Sequence, residues 1–291
     1  MTRIVSSLAE ISGGYRAVFM DLWGCLHDGV RPFDAAVEAL RAFRSGGGIV
    51  VLVTNSPRPR AAVARQLEII GVPEDCWDTI ASSGDSARTA MYAGAVGTRV
   101  HHIGTPEEAS SFFSPEDVPG ETLPIERVPL DEAEGIVVTG PRDDEHDKPE
   151  DYRPQFLAAK QRRLKLLCAN PDLVVDRGER RVICAGALAA EYASMGGESL
   201  YFGKPHPPIY DLARRRLAEI ADVSADDVLC IGDGIGTDVA GAQGEGLDCL
   251  FVTGGLAAAE TNDGDAVDRA RLAAFLEQAM VSPTYAIAKV R

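Results

Sequence analysis

The architecture of this chain follows from the segment Ala17-Val18-Phe19-Met20-Asp21-Leu22-Trp23-Gly24-Cys25-Leu26, in which an apolar run ends at a carboxylate and a turn. A run without alternation of apolar and polar residues predicts a strand that is buried on both faces, as in a parallel sheet covered by helices. Ligands of such sheets bind outside the carboxyl ends of the strands. We therefore expect Asp21 at a ligand-binding edge.

Two more apolar runs end in polar side chains. Ile49–Val53 precedes Thr54 and Asn55, and Val228–Ile231 is followed after one glycine by Asp233. Because the carboxyl ends of parallel strands share one edge of a sheet, these side chains should lie close to Asp21.

A fourth reactive group is Lys204, which we expect to join Asp21, Thr54 and Asp233 from a nearby loop, Phe202-Gly203-Lys204-Pro205. Two carboxylates, a hydroxyl and an ammonium at one crevice suit a divalent cation and a phosphoryl group. This constellation is the main functional signal of the chain.

Length and composition bound the classes of function. The 291 residues suffice for two domains, and 45% hydrophobic with 25% charged residues is ordinary for a globular protein. A formal net charge of −15 argues against nucleic acid and against an anionic membrane as partners. Neither a bilayer-spanning stretch nor the apolar core of a signal peptide is present, which predicts a cytoplasmic protein. The six cysteines form no Cys-x-x-Cys pair, so buried thiols are expected.

The order of the elements predicts an α/β fold with an inserted domain. Strands and helices alternate after a short helix expected over residues 1–13, and the helix at 32–43 should bury Ala36, Val37, Leu40 and Phe43. Residues 81–199 predict a separate smaller α/β domain, with strands at 99–103, 135–139 and 165–168 and helices at 83–92, 152–163 and 187–195. Residues 1–80 and 200–291 would form the parallel-sheet core, with later strands at 228–231 and 249–253 and helices at 207–221, 238–244 and 265–277.

Each reactive residue suits a step of phosphoryl transfer. A carboxylate such as Asp21 can attack phosphorus and form an aspartyl-phosphate, while Thr54 and Asn55 can hold a non-bridging oxygen. A fixed ammonium at Lys204 would offset the developing charge. Taken singly, Asp21 is more typical of a strand-end cap, Thr54-Asn55 of a turn and Lys204 of a surface charge. Their joint occurrence favours function.

The segment Gly232-Asp233-Gly234-Ile235-Gly236-Thr237-Asp238 places two acids around glycines. Asp233, at a strand end, suits Mg²⁺, a hard cation that takes oxygen ligands. Asp238 either completes the ligand shell or orients Lys204. The alternative for both acids is an ordinary turn.

Order and spacing of these motifs resemble the haloacid dehalogenase superfamily, and the placement of the insert resembles its class IIA branch, the nitrophenyl-phosphatase-like enzymes. The resemblance covers nearly the whole chain and rests on Asp21–Leu26, Val53–Ser56, Gly203–Pro205 and Gly232–Asp238, and in the insert on Asn170–Asp172 and Ala185–Leu188. It implies a Rossmann-like core, an α/β cap and Mg²⁺-dependent hydrolysis of phosphate esters. It also implies that Mg²⁺ takes a carboxylate oxygen of Asp21, the backbone carbonyl of Trp23 and the carboxylate of Asp233.

One position departs from the pattern. Phosphatases of this superfamily carry an aspartate two residues after the nucleophile, where it protonates the leaving group and then activates water; this chain has Trp23. Indole cannot transfer that proton, and loss of a general acid typically costs about 10²–10⁴-fold in rate. His27 and Asp28 are the neighbouring candidates for a substitute.

Three classes of function remain open from the sequence. The first is a Mg²⁺-dependent phosphatase of a small phosphorylated metabolite, slow or selective because of Trp23. The second is a metal-binding protein of the same fold that acts as a binding or regulatory module. The third is a dehalogenase or phosphonate-cleaving hydrolase. The sequence names neither the substrate nor the oligomeric state, so a homo-oligomer stays open; candidate residues for specificity are Arg142, His146 and Arg177.

Overall fold

The computed structural model describes residues 2–177 and 180–291. The chain begins with β1 (Arg3–Ile4), β2 (Ala17–Met20), α1 (Asp34–Ser45), β3 (Ile49–Thr54), α2 (Arg60–Ile69), β4 (Thr79–Ser82) and α3 (Ser83–Tyr92). It continues with β5 (Arg99–Ile103), α4 (Pro106–Phe112), β6 (Glu126–Arg127), β7 (Gly135–Val138), α5 (Arg153–Gln161), β8 (Lys165–Cys168), β9 (Val174–Arg177), β10 (Arg180–Ile183), α6 (Ala185–Ser194) and β11 (Glu198–Tyr201). The last part holds α7 (Pro207–Ala218), β12 (Val228–Gly232), α8 (Ala240–Gly244), β13 (Asp248–Val252), α9 (Ala258–Thr261), β14 (Asn262–Asp263), β15 (Ala266–Val267), α10 (Arg269–Ala279) and β16 (Tyr285–Ile287).

The chain divides into two compact units. The first comprises Met1–Thr54, Ala64–Ala81 and Tyr210–Arg291, and the second comprises Asn55–Val63 and Ser82–Ile209. The first unit is built on a seven-stranded sheet with the order β1-β16-β13-β12-β2-β3-β4. Strands β2 and β12 pair in parallel, as do β2 and β3, and every residue of β2 and of β12 is buried. The predicted parallel-sheet core is confirmed.

The connections of this sheet reverse direction between β2 and β12. From β2 the chain runs outward through β3 to β4, whereas β12 lies on the other side of β2 and leads outward to β13. Such a point, where neighbouring strands feed connections in opposite directions, opens a crevice at the carboxyl edge of the sheet. Asp21 and Asp233 follow the two strands that flank it.

Helix α1 buries Ala36, Val37, Leu40 and Phe43, the four residues that its apolar spacing predicted. Their recurrence at three and four residues forms one apolar stripe, which must be covered by the sheet. The helix ends where the glycines begin, since the N–H group of Gly46 bonds back to carbonyls of the last turn.

The second unit has its own five-stranded sheet with the order β11-β8-β7-β5-β6, in which every pair is parallel. Successive residues of its central strand point to opposite faces. Ile136 and Val138 pack in one apolar cluster with Phe156 and Tyr192, while Val137 packs in the other cluster. A separate antiparallel hairpin is formed by β9 and β10. The sequence boundary between 199 and 200 falls inside β11.

The helix expected over residues 1–13 is wrong. Arg3 and Ile4 form β1, which pairs in parallel with Tyr285 and Ala286 of β16, and two short 3₁₀ turns follow. Long-range pairing decides the structure here, and a two-residue strand carries no periodicity by which it could be predicted. None of the helices within residues 2–177 and 180–291 has the length and apolar character that a bilayer crossing needs.

A half-buried histidine, His102 of β5, links this strand to the end of β7 and to helix α4. Nε2 of His102 lies 2.9 Å from Oγ1 of Thr139, whose hydroxyl donates to Oε2 of Glu108 at 3.2 Å. Because the threonine proton is directed to Glu108, the histidine donates through Nε2. Burial, followed by the charge of Arg127, lowers the pKa of His102 to about 4.

We predict that His102 makes the protein less stable in mild acid. The unfolded chain binds a proton at this histidine near pH 6.5 and the folded chain only near pH 4, so stability is lost as the pH falls between these values. The loss from this residue at pH 5 should be about 1–2 kcal/mol. Urea unfolding of wild type and His102→Gln, which keeps a donor and cannot be charged, measures it. An equal pH dependence of both proteins contradicts the prediction.

Candidate active site

Asp21 extends the pairing of the two central strands. Its N–H donates to the carbonyl of Ile231 in β12 at 2.8 Å, although β2 itself ends at Met20. Asp21, a residue that is 8% exposed, therefore begins the loop at the carboxyl edge of the sheet.

The loop after Asp21 is a tight turn. The carbonyl of Leu22 accepts the N–H groups of Leu26 at 2.8 Å and of His27 at 3.1 Å, and Gly24 donates to the His27 carbonyl at 3.0 Å. Gly24 has φ +75°, in the left-handed region that glycine adopts without strain. The turn that the sequence predicts after Asp21 thus reverses direction at Gly24.

The carboxylate of Asp233 lies between two glycines that are distant in sequence, Gly24 and Gly255. A Cβ atom on Gly24 would lie 2.2 Å from Oδ2 of Asp233, and one on Gly255 would lie 1.9 Å from it. The same oxygen accepts the N–H of Leu256 at 3.0 Å. Glycine is thus required on both sides for this carboxylate to occupy its place, because any side chain would displace it.

Asp21, Cys25 and Asp233 bring one ligand atom each to within 4.8 Å of one another, and all three residues are buried. Mg²⁺ bound at 2.0–2.1 Å holds neighbouring oxygens about 3–4 Å apart, and two carboxylate oxygens that lie within 4.8 Å of each other reach this spacing by small side-chain movements. Two buried acids side by side are otherwise costly, because their charges repel in a weakly screened interior. The arrangement therefore fits a divalent cation, and the sequence-predicted pair Asp21 and Asp233 is brought together.

Thr54 ends β3, the strand next to β2, and is 2% exposed. Leu52 is level with Met20 across the pair, so Thr54 reaches the same edge of the sheet as Asp21. The three strand ends that the sequence brought together are thus neighbours in the first unit.

Asp238 lies outside that group of three ligand atoms. Its Oδ2 accepts the N–H of Gly234 at 3.1 Å and the hydroxyl of Thr237 at 3.3 Å, within a π-helical turn over Ile235–Val239. The helix expected from Asp238 is therefore shorter and begins as α8 at Ala240. These bonds give the carboxylate a part in shaping the turn, and its role toward a metal stays a prediction.

Asn55 and Lys204 meet in the second unit. Oδ1 of Asn55 accepts the N–H of Lys204 at 2.7 Å, and Nδ2 donates to the Lys204 carbonyl at 3.1 Å. Nδ2 also donates to Oδ1 of Asp172 at 2.8 Å, and Oδ1 of Asn170 accepts the Asp172 N–H at 2.9 Å. Both amide hydrogens of Asn55 are thus used, so a phosphate oxygen would have to bind its backbone N–H instead. We name Asn55, Asp172 and Lys204 the lysine clamp.

The lysine clamp was missed by the sequence reasoning. Asn170-Pro171-Asp172 matched a family pattern, but nothing in its spacing shows that Asp172 would hold a side chain 117 residues earlier. Among the candidate specificity residues, the guanidinium of Arg142 lies 5.4 Å from the centre of the Tyr152 ring, and His146 is an exposed partner of Asp143 at 2.9 Å. The side chain of Arg177 lies outside the described part of the chain.

The environments of His27 and Asp28, the neighbours of Trp23, disfavour proton donation at neutral pH. The indole meets the His27 ring edge to face, with 5.2 Å between centres. Nδ1 of His27 accepts the Gly29 N–H at 3.0 Å, and burial lowers the pKa of His27 to about 4. The N–H groups of Arg31 and Val30 bond to Asp28 and hold the pKa of that carboxyl below its usual range. A neutral imidazole and a stabilised carboxylate are both poor general acids at neutral pH.

Comparison with known proteins gives two family matches. Residues 18–114 match haloacid dehalogenase-like hydrolases, and residues 201–279 match a second, HAD-hydrolase-like model. A hydrolase of the haloacid dehalogenase-like family from Brucella suis 1330 is 38% identical, with a TM-score of 0.86 over 99% of this chain and 100% of that one. Solved p-nitrophenyl phosphatases share the fold, in agreement with the predicted class IIA branch.

Two further relatives have named activities. The 5′-nucleotidase YutF of Bacillus subtilis is 24% identical over 248 residues, which cover 83% of this chain and 88% of that protein. The glycerol phosphate phosphatase Rv1692 of Mycobacterium tuberculosis, solved in complex with magnesium, is 23% identical; the match covers 87% of this chain and 71% of that chain with a TM-score of 0.61.

We predict that Gly24→Ala weakens metal binding. The added Cβ would lie 2.2 Å from Oδ2 of Asp233, so the carboxylate must move. Gly47→Ala is the matched control, because Gly47 also has positive φ, at +90°, yet a Cβ atom added there would have no atom within 4 Å. Both variants should lose about 1 kcal/mol of stability from backbone strain. Calorimetric titration with Mg²⁺ should show a loss of affinity of tenfold or more in Gly24→Ala only, about 1.4 kcal/mol.

Proposed function

The chain belongs to the haloacid dehalogenase-like hydrolase family, and from that premise we propose that it is a Mg²⁺-dependent phosphohydrolase of small phosphorylated metabolites. The observation that carries the proposal is the buried pair Asp21 and Asp233, held at the reversal point of the parallel sheet. The activities named for YutF and for Rv1692 support hydrolysis of phosphate monoesters.

In the proposed reaction Asp21 is the nucleophile. One of its carboxylate oxygens attacks phosphorus and the ester oxygen leaves, which gives an aspartyl-phosphate; water then cleaves this acyl phosphate and restores the carboxylate. Asp21, Asp233 and the backbone carbonyl of Trp23 would hold Mg²⁺, which supplies positive charge against the phosphate oxygens when bound. Lys204, Thr54 and the backbone N–H of Asn55 would hold the other oxygens.

The lysine clamp supports this assignment for Lys204. Its backbone is bonded on both sides by one amide side chain, so the base of the ammonium-bearing side chain is fixed. A group that is already in place stabilises developing charge without reorganisation during the reaction. We propose that the second unit serves as the cap and that its residues choose the substrate.

Proton transfer to the leaving group is the weak step of this enzyme. Trp23 has no transferable proton for this role, His27 is neutral with Nδ1 accepting the N–H of Gly29, and Asp28 is a stabilised carboxylate. Esters whose leaving group is already a weak base need little protonation. We therefore propose a preference for aryl or acyl phosphates over alkyl phosphates.

A screen of phosphorylated metabolites with Mg²⁺ tests the function. Wild type should release phosphate, and Asp21→Asn should lower kcat by about 10³-fold or more, because the nucleophile is lost. Asp233→Asn should lose activity through weaker Mg²⁺ binding, which calorimetry measures, while circular dichroism of both variants stays that of wild type.

Two outcomes count against this function. Phosphate release by Asp21→Asn at the wild-type rate would remove Asp21 from the reaction. Absence of release from every ester, with intact Mg²⁺ binding, would favour the binding-module function instead.

Leaving-group dependence tests the role of Trp23. We predict that p-nitrophenyl phosphate has a kcat/KM about 10²-fold or more above that of an alkyl phosphate, which is the lower part of the general-acid contribution. Trp23→Asp should narrow this ratio by raising the alkyl rate, and Trp23→Phe, which adds no acid, should leave the ratio unchanged. An alkyl phosphate cleaved as fast as the aryl ester by wild type would show that another residue supplies the proton.

A further inference from the structure

The third ligand atom in the group of Asp21, Cys25 and Asp233 belongs to a thiol. Cys25 is 1% exposed, and its Sγ lies within 4.8 Å of a carboxylate oxygen of Asp21 and of one of Asp233. The sequence predicted a buried thiol here without a function. Neither the family match nor the proposed hydrolysis uses a sulfur at this place.

The loop holds this sulfur beside the acids. Asp21 is fixed by its bond to Ile231, and the N–H groups of Cys25 and Leu26 both turn back to the Leu22 carbonyl, at 3.4 and 2.8 Å. Gly24 makes the reversal possible with its φ of +75°. The chain therefore returns over the strand end, and Cys25 lies at the same end of the turn as the nucleophile.

We propose that Cys25 makes this centre a site for thiophilic divalent cations, namely Zn²⁺, Cd²⁺ and Co²⁺, which bind through its sulfur and the carboxylates of Asp21 and Asp233. The proposal rests on the metal centre of the proposed function and adds a ligand to it. On binding, the metal–sulfur bond forms and the S–H proton leaves to solvent, with no change of oxidation state.

Ligand chemistry separates these cations from Mg²⁺. Thiolate ligands select Zn²⁺ and other soft or borderline ions, whereas carboxylate and carbonyl oxygens suit Mg²⁺. Zinc bound to sulfur at about 2.3 Å and to oxygens at about 2.0–2.2 Å places its ligand atoms about 3.5 Å apart. A separation of up to 4.8 Å reaches this by small side-chain movements.

The consequence for activity is inhibition. A thiophilic cation bound to Cys25, Asp21 and Asp233 takes the two carboxylates that would hold Mg²⁺, so the two kinds of metal exclude each other. Zn²⁺ or Cd²⁺ should then compete with Mg²⁺, and Mg²⁺ in excess should relieve the inhibition only slowly if the sulfur bond is tight.

Cobalt reports the sulfur bond directly. Metal-free wild-type protein is titrated with Co²⁺ and followed by ultraviolet absorption, where a sulfur-to-cobalt charge-transfer band marks a thiolate ligand. The band should appear with one Co²⁺ per chain and vanish in Cys25→Ala. Cys230→Ala is the matched control, because Cys230 is also a buried thiol in the same unit but is not part of the Asp21, Cys25 and Asp233 group.

Affinities give the second readout. Cys25→Ala should bind Cd²⁺ at least about tenfold more weakly than wild type and Mg²⁺ with little change, since loss of one ligand exceeds the 10–100-fold effect of losing a ligand's supporting contact. Cys25→Ser, which replaces sulfur by a hard hydroxyl oxygen, should also lose the cobalt band and keeps the test usable if the alanine variant does not fold.

The outcomes separate this inference from the proposed function. If Co²⁺ binds to wild type without a charge-transfer band and binds more weakly to Asp233→Asn, that result overturns the role of Cys25 and leaves the Mg²⁺ centre intact. A band that persists in both Cys25 variants assigns the sulfur elsewhere and overturns the proposal. No binding of Mg²⁺ or Co²⁺ by wild type overturns the metal centre and the proposal together.

Discussion

The parallel pairing of β2 with β12 is the constraint on which the rest of the first unit depends. The hydrogen bond from the Asp21 N–H to the Ile231 carbonyl carries that pairing one residue past the end of β2. Because the sheet reverses its connections between these strands, the two carboxylates that follow them must share one crevice. The glycines around Asp233 and the turn after Asp21 then adapt the loops to a carboxylate pair.

The carboxylate pair of the site could be predicted from sequence because its determinants are adjacent residues. A buried strand, a following acid and a glycine stand next to one another in the chain, and parallel topology supplies their meeting. For the same reason the buried face of helix α1 was predicted correctly, since four apolar residues at helical spacing form that face. Where a structure is fixed by adjacent residues, composition and order are enough.

The remainder could not be predicted because its determinants lie far apart. Strand β1 forms by pairing with β16, at the other end of the chain. The side-chain amide of Asn55 donates hydrogen bonds to Asp172 and Lys204, which are more than 100 positions later. The expectation that His27 and Asp28 are poor substitute acids depends on the burial of His27 and on hydrogen bonds to Gly29, Val30 and Arg31. Spacing in a sequence does not show which lone pair is already in use.

The lysine clamp also limits which segment of this chain can be exchanged with a related protein. Thr54 and Asn55 are consecutive, yet Thr54 belongs to the first compact unit and Asn55 to the second, where it holds Lys204 and Asp172. A cap exchanged between relatives as residues 81–199 alone would carry Asp172 away from the Asn55 and Lys204 of its parent. Chimeras that keep all three residues from one parent preserve the clamp, so crossover points are best placed before Asn55 and after Lys204.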